Sequence, residues 1–219
     1  MALTALISIV FSRVFGAEIH EYAPYILSGV VVWEFLSASF TGGSLTFVQA
    51  APYIGQRRLP LAIYPLRTVL GCGVVFAMGC AALMLWVLVT SPANFNTSWM
   101  SLLVAIPVLL LAAWPVATLL ALIGARFRDT PQILALVMQG VWFVSPVFIQ
   151  TGVFQDAGLQ FLLTYNPVHH ALQLIREPIL HGQLPDAVNY IWVGATGTLF
   201  SLAAMYAIRK LERTTIHHL

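Results

Sequence analysis

Residues 68–125 read TVLGCGVVFAMGCAALMLWVLVTSPANFNTSWMSLLVAIPVLLLAAWPVATLLALIGA, and none of these 58 residues is charged. Arg67 closes the run on one side and Arg126 on the other. A helix needs about 20 apolar residues to cross about 30 Å of hydrocarbon, so the run has room for two crossings and a turn. Its middle supplies the turn: Ser91-Pro92-Ala93-Asn94-Phe95-Asn96-Thr97-Ser98 gathers the Pro, Ser and Asn that interrupt helices. The two crossings are predicted at 68–90 and 99–125.

The same rule, carried outward, gives the rest of the chain. Residues 23–47 form a span interrupted only by Glu34, and 130–155 and 187–208 form two more. Residues 1–12 are uncharged and end at Arg13, which makes the first span short or truncated. Residues 1–16 have no basic region before them and no clean small-residue cleavage site, so they are read as part of a retained span rather than a leader. Residues 157–175 are uncharged but broken by Asn166-Pro167, and Pro removes a backbone donor. Two short helices dipping into the membrane are expected there, in a place where irregular backbone must pack against protein or line a wet cavity. The fold class predicted is an all-α polytopic membrane protein of about six transmembrane helices, with a re-entrant outer segment between helices five and six. Residues 1–219 are read as a single transmembrane domain, with no internal repeat or linker.

Composition supports this. Only 8% of the 219 residues are charged and 59% are hydrophobic, against about 25% charged in soluble domains. The net charge of +2 is small and the basic residues form no patch, so nucleic acid is not an expected partner and lipid is. Placing loop 48–67 inside puts Arg57, Arg58, Arg67, Arg126, Arg128, Arg209, Lys210 and Arg213 on the cytoplasmic side, and only Arg13 and Arg176 outside. Cys72 and Cys80 lie eight residues apart, about two helical turns, which is too far for a disulfide within one helix.

Several features invite a functional reading, each beside a plainer one. Loop 48–67 is either a partner-docking helix at the cytoplasmic face or an interfacial anchor with snorkelling arginines. Loop 124–131 is charged, and Asp129-Thr130-Pro131 has the form of a helix start with Asp129 as N-cap. Glu34 sits mid-span, where a carboxylate costs about 2.5 to 3.5 kcal/mol, so it faces a pathway or a partner helix. Trp33, Phe35, Phe40, Trp142, Phe143 and Tyr165 offer aromatic faces on which sugar rings stack, or the belts common in any membrane protein. His169 and His170 are adjacent and diverge on a helix, with no cysteine or paired carboxylate to complete a metal set. There is no G-x-S-x-G elbow and no H-E-x-x-H. The sole lysine, Lys210, precedes Leu211, so no phosphate-binding P-loop exists and no ATP or Mg is expected on this chain.

The run from Glu21 to Phe35, EYAPYILSGVVVWEF, resembles the second span of type-2 ABC exporter permeases, in their polysaccharide and polyol-phosphate export branch, the one serving O-antigen, capsule and teichoic acid. Three further matches follow in order: Arg58-Leu59-Pro60 with Tyr64-Pro65-Leu66, then Ala125-Arg126-Phe127-Arg128-Asp129, then Ser145-Pro146-Val147-Phe148 with Asn166-Pro167 and Arg176. Together they cover most of the chain from Ala17 to Lys210. The resemblance implies a permease subunit, not itself an enzyme, moving a lipid-linked glycan outward across the bacterial cytoplasmic (inner) membrane. A second permease copy and a separate ATP-binding subunit, which carries ATP and Mg, are the implied partners. It implies ATPase docking at Gln56, Arg57, Arg58, Leu59 and Pro60, with Arg126, Arg128 and Asp129 as a second contact. It implies a translocation path near Trp33, Glu34, Phe35, Phe40, Trp142 and Phe143. The outer gate falls to Ser145, Pro146, Tyr165, Asn166, Pro167 and Arg176. It also implies a cytoplasmic amphipathic segment and a full first span, whereas Met1 here falls inside that span.

Other readings stay open on the residues alone. One is an ABC permease for drugs or lipo-oligosaccharides. Another is a membrane-embedded glycan or lipid transferase, which predicts carboxylates or histidines clustered at one membrane face, and the sequence offers no such cluster. A passive membrane scaffold is the third; it has no need of Glu34 or of the break at Asn166-Pro167.

Overall fold

The computed structural model describes residues 19–54, 60–149 and 151–216, and the structural statements below concern these residues. Helix α1 is Ile19–Ile54, α2 is Ile63–Thr90, α3 is Leu102–Arg126 and α4 is Thr130–Val144. Three short helices follow, α5 (Thr151–Asp156), α6 (Gln160–Thr164) and α7 (Pro167–Arg176), the last running into a π turn at Glu177–His181. The final helix, α8, is Ala187–Ile216. No strand occurs among the described residues.

Four helices are long and apolar enough to cross a membrane: Tyr22–Pro52, Ile63–Thr90, Thr97–Arg126 and Ala187–Lys210. Their outward faces are apolar too, with Val75 70% and Val89 77% exposed on α2. A helix apolar on every side requires a non-aqueous surrounding on its unpacked face. The predicted turn at 91–98 is present as two 3₁₀ turns, Pro92–Asn94 and Thr97–Ser101. The predicted span 1–12 lies outside the described residues.

The predicted span 130–155 is not one helix. The chain leaves helical geometry at Ser145, where ψ is 143°, and α4 has 15 residues. At 1.5 Å per residue it is about 22 Å long, short of the hydrocarbon thickness. Pro146 follows immediately, and a residue before proline is pushed out of the α region. Count of spans is therefore four long helices plus this shorter one among the described residues. Residues 157–175 hold two short helices, α6 and α7, as expected, while α5 occupies the end of the predicted span 130–155. Asn166 caps α7 by accepting from the Val168 N–H at 2.9 Å, and Pro167 fills the first turn, where its missing N–H costs nothing.

Helix α1 is the axis of the bundle, packing on α2, α3, α4 and α7, while α3 also packs on α8. The α1–α3 contact is built from small residues, which let backbones approach closely where no water drives association. Ala117 and Ala121 are fully buried, and a Cβ on Gly124 would run into the backbone oxygen of Ser44. Between α1 and α2, Phe35 stacks on Phe76 with ring centroids 4.7 Å apart.

The helices alternate in direction, so the bundle has two chemically distinct ends. Arg67, Arg126, Arg128, Arg209 and Lys210 are all exposed and all lie at the end where α1 finishes. The other end carries α5 to α7, and its one described arginine, Arg176, is 1% exposed. The α2–α3 turn ties this end together. Asn94 Nδ2 donates to the Leu180 carbonyl and Asn96 Nδ2 to that of Gly182, each at 2.6 Å. Gly182 closes the π turn with φ 63°, a left-handed conformation that an L side chain rarely adopts.

Gly124→Ala should lower stability by about 1–3 kcal/mol, because the obstacle is backbone that cannot rotate away. Gly194→Ala on α8, where a Cβ meets nothing within 4 Å, should be neutral or stabilising. Thermal unfolding of the two variants in detergent checks the contrast.

Candidate functional site: a buried arginine at the broken helices

Arg176 ends α7 and projects across the bundle to α1 and the stretch after α4. Its Nε donates to Ser28 Oγ at 3.1 Å. Nη1 donates to the Pro146 carbonyl at 2.7 Å and to Tyr25 Oη at 3.1 Å. Nη2 donates to the Val147 carbonyl at 2.9 Å and to that of Tyr25 at 3.3 Å. All five guanidinium donors are thus used, the full capacity of the group. The guanidinium also lies 3.8 Å from the centroid of the Tyr25 ring. No carboxylate among the described residues pairs with it, so the charge is balanced by carbonyl and hydroxyl dipoles and a π face.

The surroundings are fitted to this one side chain. A Cβ on Gly29 would meet the Val147 carbonyl oxygen, and Arg176 Nη2 at 2.7 Å. Tyr22 Oη donates to the Phe148 carbonyl at 2.9 Å, and Tyr25 Oη reaches the Ile149 carbonyl at 3.0 Å. The unwound stretch 145–149 therefore has its free carbonyls satisfied from α1 and α7, as buried backbone requires. Asn166 Nδ2 adds a bond to Ser145 Oγ at 2.9 Å.

A second polar network adjoins it. His170 is 5% exposed, with Nδ1 2.8 Å from Asn189 Oδ1 and Nε2 3.0 Å from the Thr164 carbonyl. Its ring lies flat on Trp192, 3° from parallel. Glu177 Oε2 accepts the Asp186 N–H at 3.0 Å. Burial pushes the Glu177 carboxyl pKa up, and that N–H opposes the rise. Burial draws the pKa of His169 down to about 4, with the charges of His170 and Arg176 acting the same way. No group of three or more His, Cys, Asp or Glu side chains among the described residues could hold a metal ion.

Of the gate residues read from the sequence, Ser145, Pro146, Asn166 and Arg176 form one connected cluster. Pro167 is exposed in the first turn of α7, and Tyr165 is 70% exposed with its ring edge-on to Trp192. The path residues do not share a surface. Trp33 is buried against Trp142, and Phe35 is buried against Phe76. Glu34 is exposed in a groove between α1 and α2 beside Val31 and Gly79, and Phe143 is 72% exposed on α4. Phe40 borders an apolar cavity of about 220 Å³ between α1, α3, α7 and α8.

Of the docking residues, Gln56, Arg57, Arg58 and Leu59 lie outside the described residues. Pro60 is exposed at the approach to α2, and Arg126, Arg128 and Asp129 are exposed together between α3 and α4. Asp129 occupies the N-cap position as expected, but its side chain makes no cap bond. Its backbone is α-like, with φ −88° and ψ 0°, whereas capping side chains need an extended residue. Tyr22, Tyr25, Ser28 and Gly29 went unassigned in the sequence reading. The three-residue spacing of Tyr22, Tyr25 and Ser28 along an apolar helix is the signal that marks one polar edge.

No family model matches the chain. It is similar over nearly its whole length to curated transport permeases. It is 20% identical over 207 residues to an O-antigen export system permease protein of Klebsiella pneumoniae, covering 93% of this chain and 78% of that one. It is 22% identical over 209 residues to a polysialic acid transport protein of Escherichia coli, covering 90% and 79%. An O-antigen export system permease protein of Myxococcus xanthus is 24% identical over 211 residues, covering 93% and 79%. The resemblance carried by four motifs thus extends along the chain.

Arg176→Ala should cost on the order of 3 kcal/mol, since three carbonyls and two hydroxyls lose this donor and each group left unsatisfied costs about 1–3 kcal/mol. Arg176→Lys should recover only part of this, because an ammonium cannot reproduce the planar five-donor fork. Denaturation midpoints of the purified variants check both.

Proposed function

We infer that this chain is the membrane-spanning permease subunit of an ABC exporter that carries a polysaccharide across the bacterial cytoplasmic membrane. The observation that carries the reading is the similarity to O-antigen and polysialic acid transport permeases across nine-tenths of the chain. The bundle supports it: four helices have the length and apolarity to cross a bilayer, and the exposed cations gather at one end. By the excess of Lys and Arg, that end is cytoplasmic. A separate subunit binds ATP, and the cargo is lipid-linked glycan passing between two copies of the permease.

Helix α4 offers a direct mechanical link. It begins at the exposed Arg126–Asp129 turn and ends at Val144, two residues before Pro146, whose carbonyl Arg176 holds. An ATPase pressing on the turn would move a stiff rod of about 22 Å against the broken segment at the outer end. Pro146 and Val147 are buried and fully bonded there, so such a shift exchanges one bonded arrangement for another rather than bending a soft loop. In this reading Arg128 and Asp129 receive the push, and Ser145, Asn166 and Arg176 form the outer gate.

Reconstitution with ATP-binding subunits should yield a complex of two permeases and two ATPases that hydrolyses ATP. The double variant Arg128→Ala and Asp129→Ala should weaken ATPase association about tenfold, equivalent to about 1.4 kcal/mol, without lowering the unfolding temperature. A chain that binds no ATPase, and restores no surface glycan to cells lacking an export permease, would overturn the reading.

A further inference from the structure

Beside the buried histidine network, α5, α6, α7 and the start of α8 line an open cleft of about 500 Å³. It lies at the end of the bundle away from the exposed cations. This volume is within the range of about 300–1,000 Å³ typical of small-molecule sites. We propose that this cavity is a binding subsite for an uncharged sugar unit. The proposal rests on the polysaccharide-export reading for the identity of the cargo, and on the cavity itself for its chemistry.

The lining is polar without being charged. Gln155, Gln160 and Gln173 contribute three amides from three different helices, and Thr151 and Thr164 contribute hydroxyls. Each amide both donates and accepts, which suits the hydroxyls of a sugar and suits a bare anion or cation poorly. Trp192 forms an apolar wall, and an aromatic ring beside amides is the combination that a sugar, with its polar rim and C–H face, requires. His169 also borders the cavity, and its Nδ1 is buried with no hydrogen-bond partner among the described residues. Burial keeps this imidazole neutral at pH 7, so it adds no charge to the lining.

Other cavities differ in kind. The one beside Phe40 is apolar, suited to an acyl chain rather than a sugar. The one at the opposite end, near Gln49 and Thr68, includes Arg67, a cation suited to a phosphate. The rigidity of the cavity beside Trp192 also favours selective binding. His170 is fixed on both ring nitrogens and stacked on Trp192, so the aromatic wall is held before any ligand arrives.

The test uses the full chain, co-purified with its ATP-binding subunit in lipid nanodiscs. Ligand-observed NMR would follow mannotriose and chitotriose, with glucose 1-phosphate as the anionic comparison. The neutral oligosaccharides should bind, and Gln160→Leu and Gln173→Leu should each weaken binding about tenfold. Gln155→Leu, at an exposed position, guards against loss through misfolding and should act in the same direction. No binding of either neutral probe, binding in all three variants as tight as in the unsubstituted chain, or preference for the phosphate would overturn the proposal. Surface glycan export by cells carrying the chain is scored in parallel. Export without sugar retention overturns the cavity's role alone, whereas absence of export overturns the functional reading beneath it.

Discussion

A guanidinium taken out of water must be given back as many hydrogen bonds as it lost. In this protein that requirement organises one whole end of the bundle. Among the described residues Arg176 has no carboxylate to pair with, so its five donors meet five neutral acceptors in one place. They come from Tyr25 and Ser28, about one turn apart on α1, and from a non-helical stretch whose carbonyls are not taken up by helical bonds. The break at Ser145-Pro146 is what frees the carbonyls of Pro146 and Val147. The arginine and the broken helix therefore satisfy each other, and neither is stable alone in a membrane.

This exchange explains the local composition. Gly29 leaves space where the Val147 carbonyl and the guanidinium approach α1. Tyr25 gives its ring face to the cation, its hydroxyl to one donor and its backbone oxygen to another. Tyr22 holds the next carbonyl along, that of Phe148. Asn94, Asn96 and Ser98 fix the far side of the same segment through the carbonyls of Leu180, Gly182 and Pro178. The segment between α4 and α8 is thus irregular yet held to α1 and the α2–α3 turn by many hydrogen bonds, which gives it a defined shape.

Different forces act elsewhere. The α1–α3 seam relies on small side chains and close backbone approach, and the α2 face relies on lipid to cover its exposed valines. A permease needs both kinds of order. Its helices must move relative to one another, which apolar seams permit, while its outer segment must keep its shape, which hydrogen bonds enforce. The polar cavity beside Trp192 belongs to the second kind, since His170 and Asn189 set its wall.

The membrane character, the places of α1, α2, α3 and α8, the turn at 91–98 and the gathering of cations at one end were legible in the sequence. Each follows from the transfer free energy of residues near one another in the chain, which sums locally. The Asn166-Pro167 break was legible for the same reason, since proline acts on its own neighbours. The end of α4 at Val144, the scattering of the aromatic path residues and the partners of Arg176 were not. Ser28 lies 148 residues from Arg176, and His170 meets Asn189 from another helix. Sequence marked where the chain would tolerate a break. Only the packed structure decided which residues would satisfy the groups that the break exposed, because a hydrogen bond depends on distances of about 3 Å that no local pattern encodes.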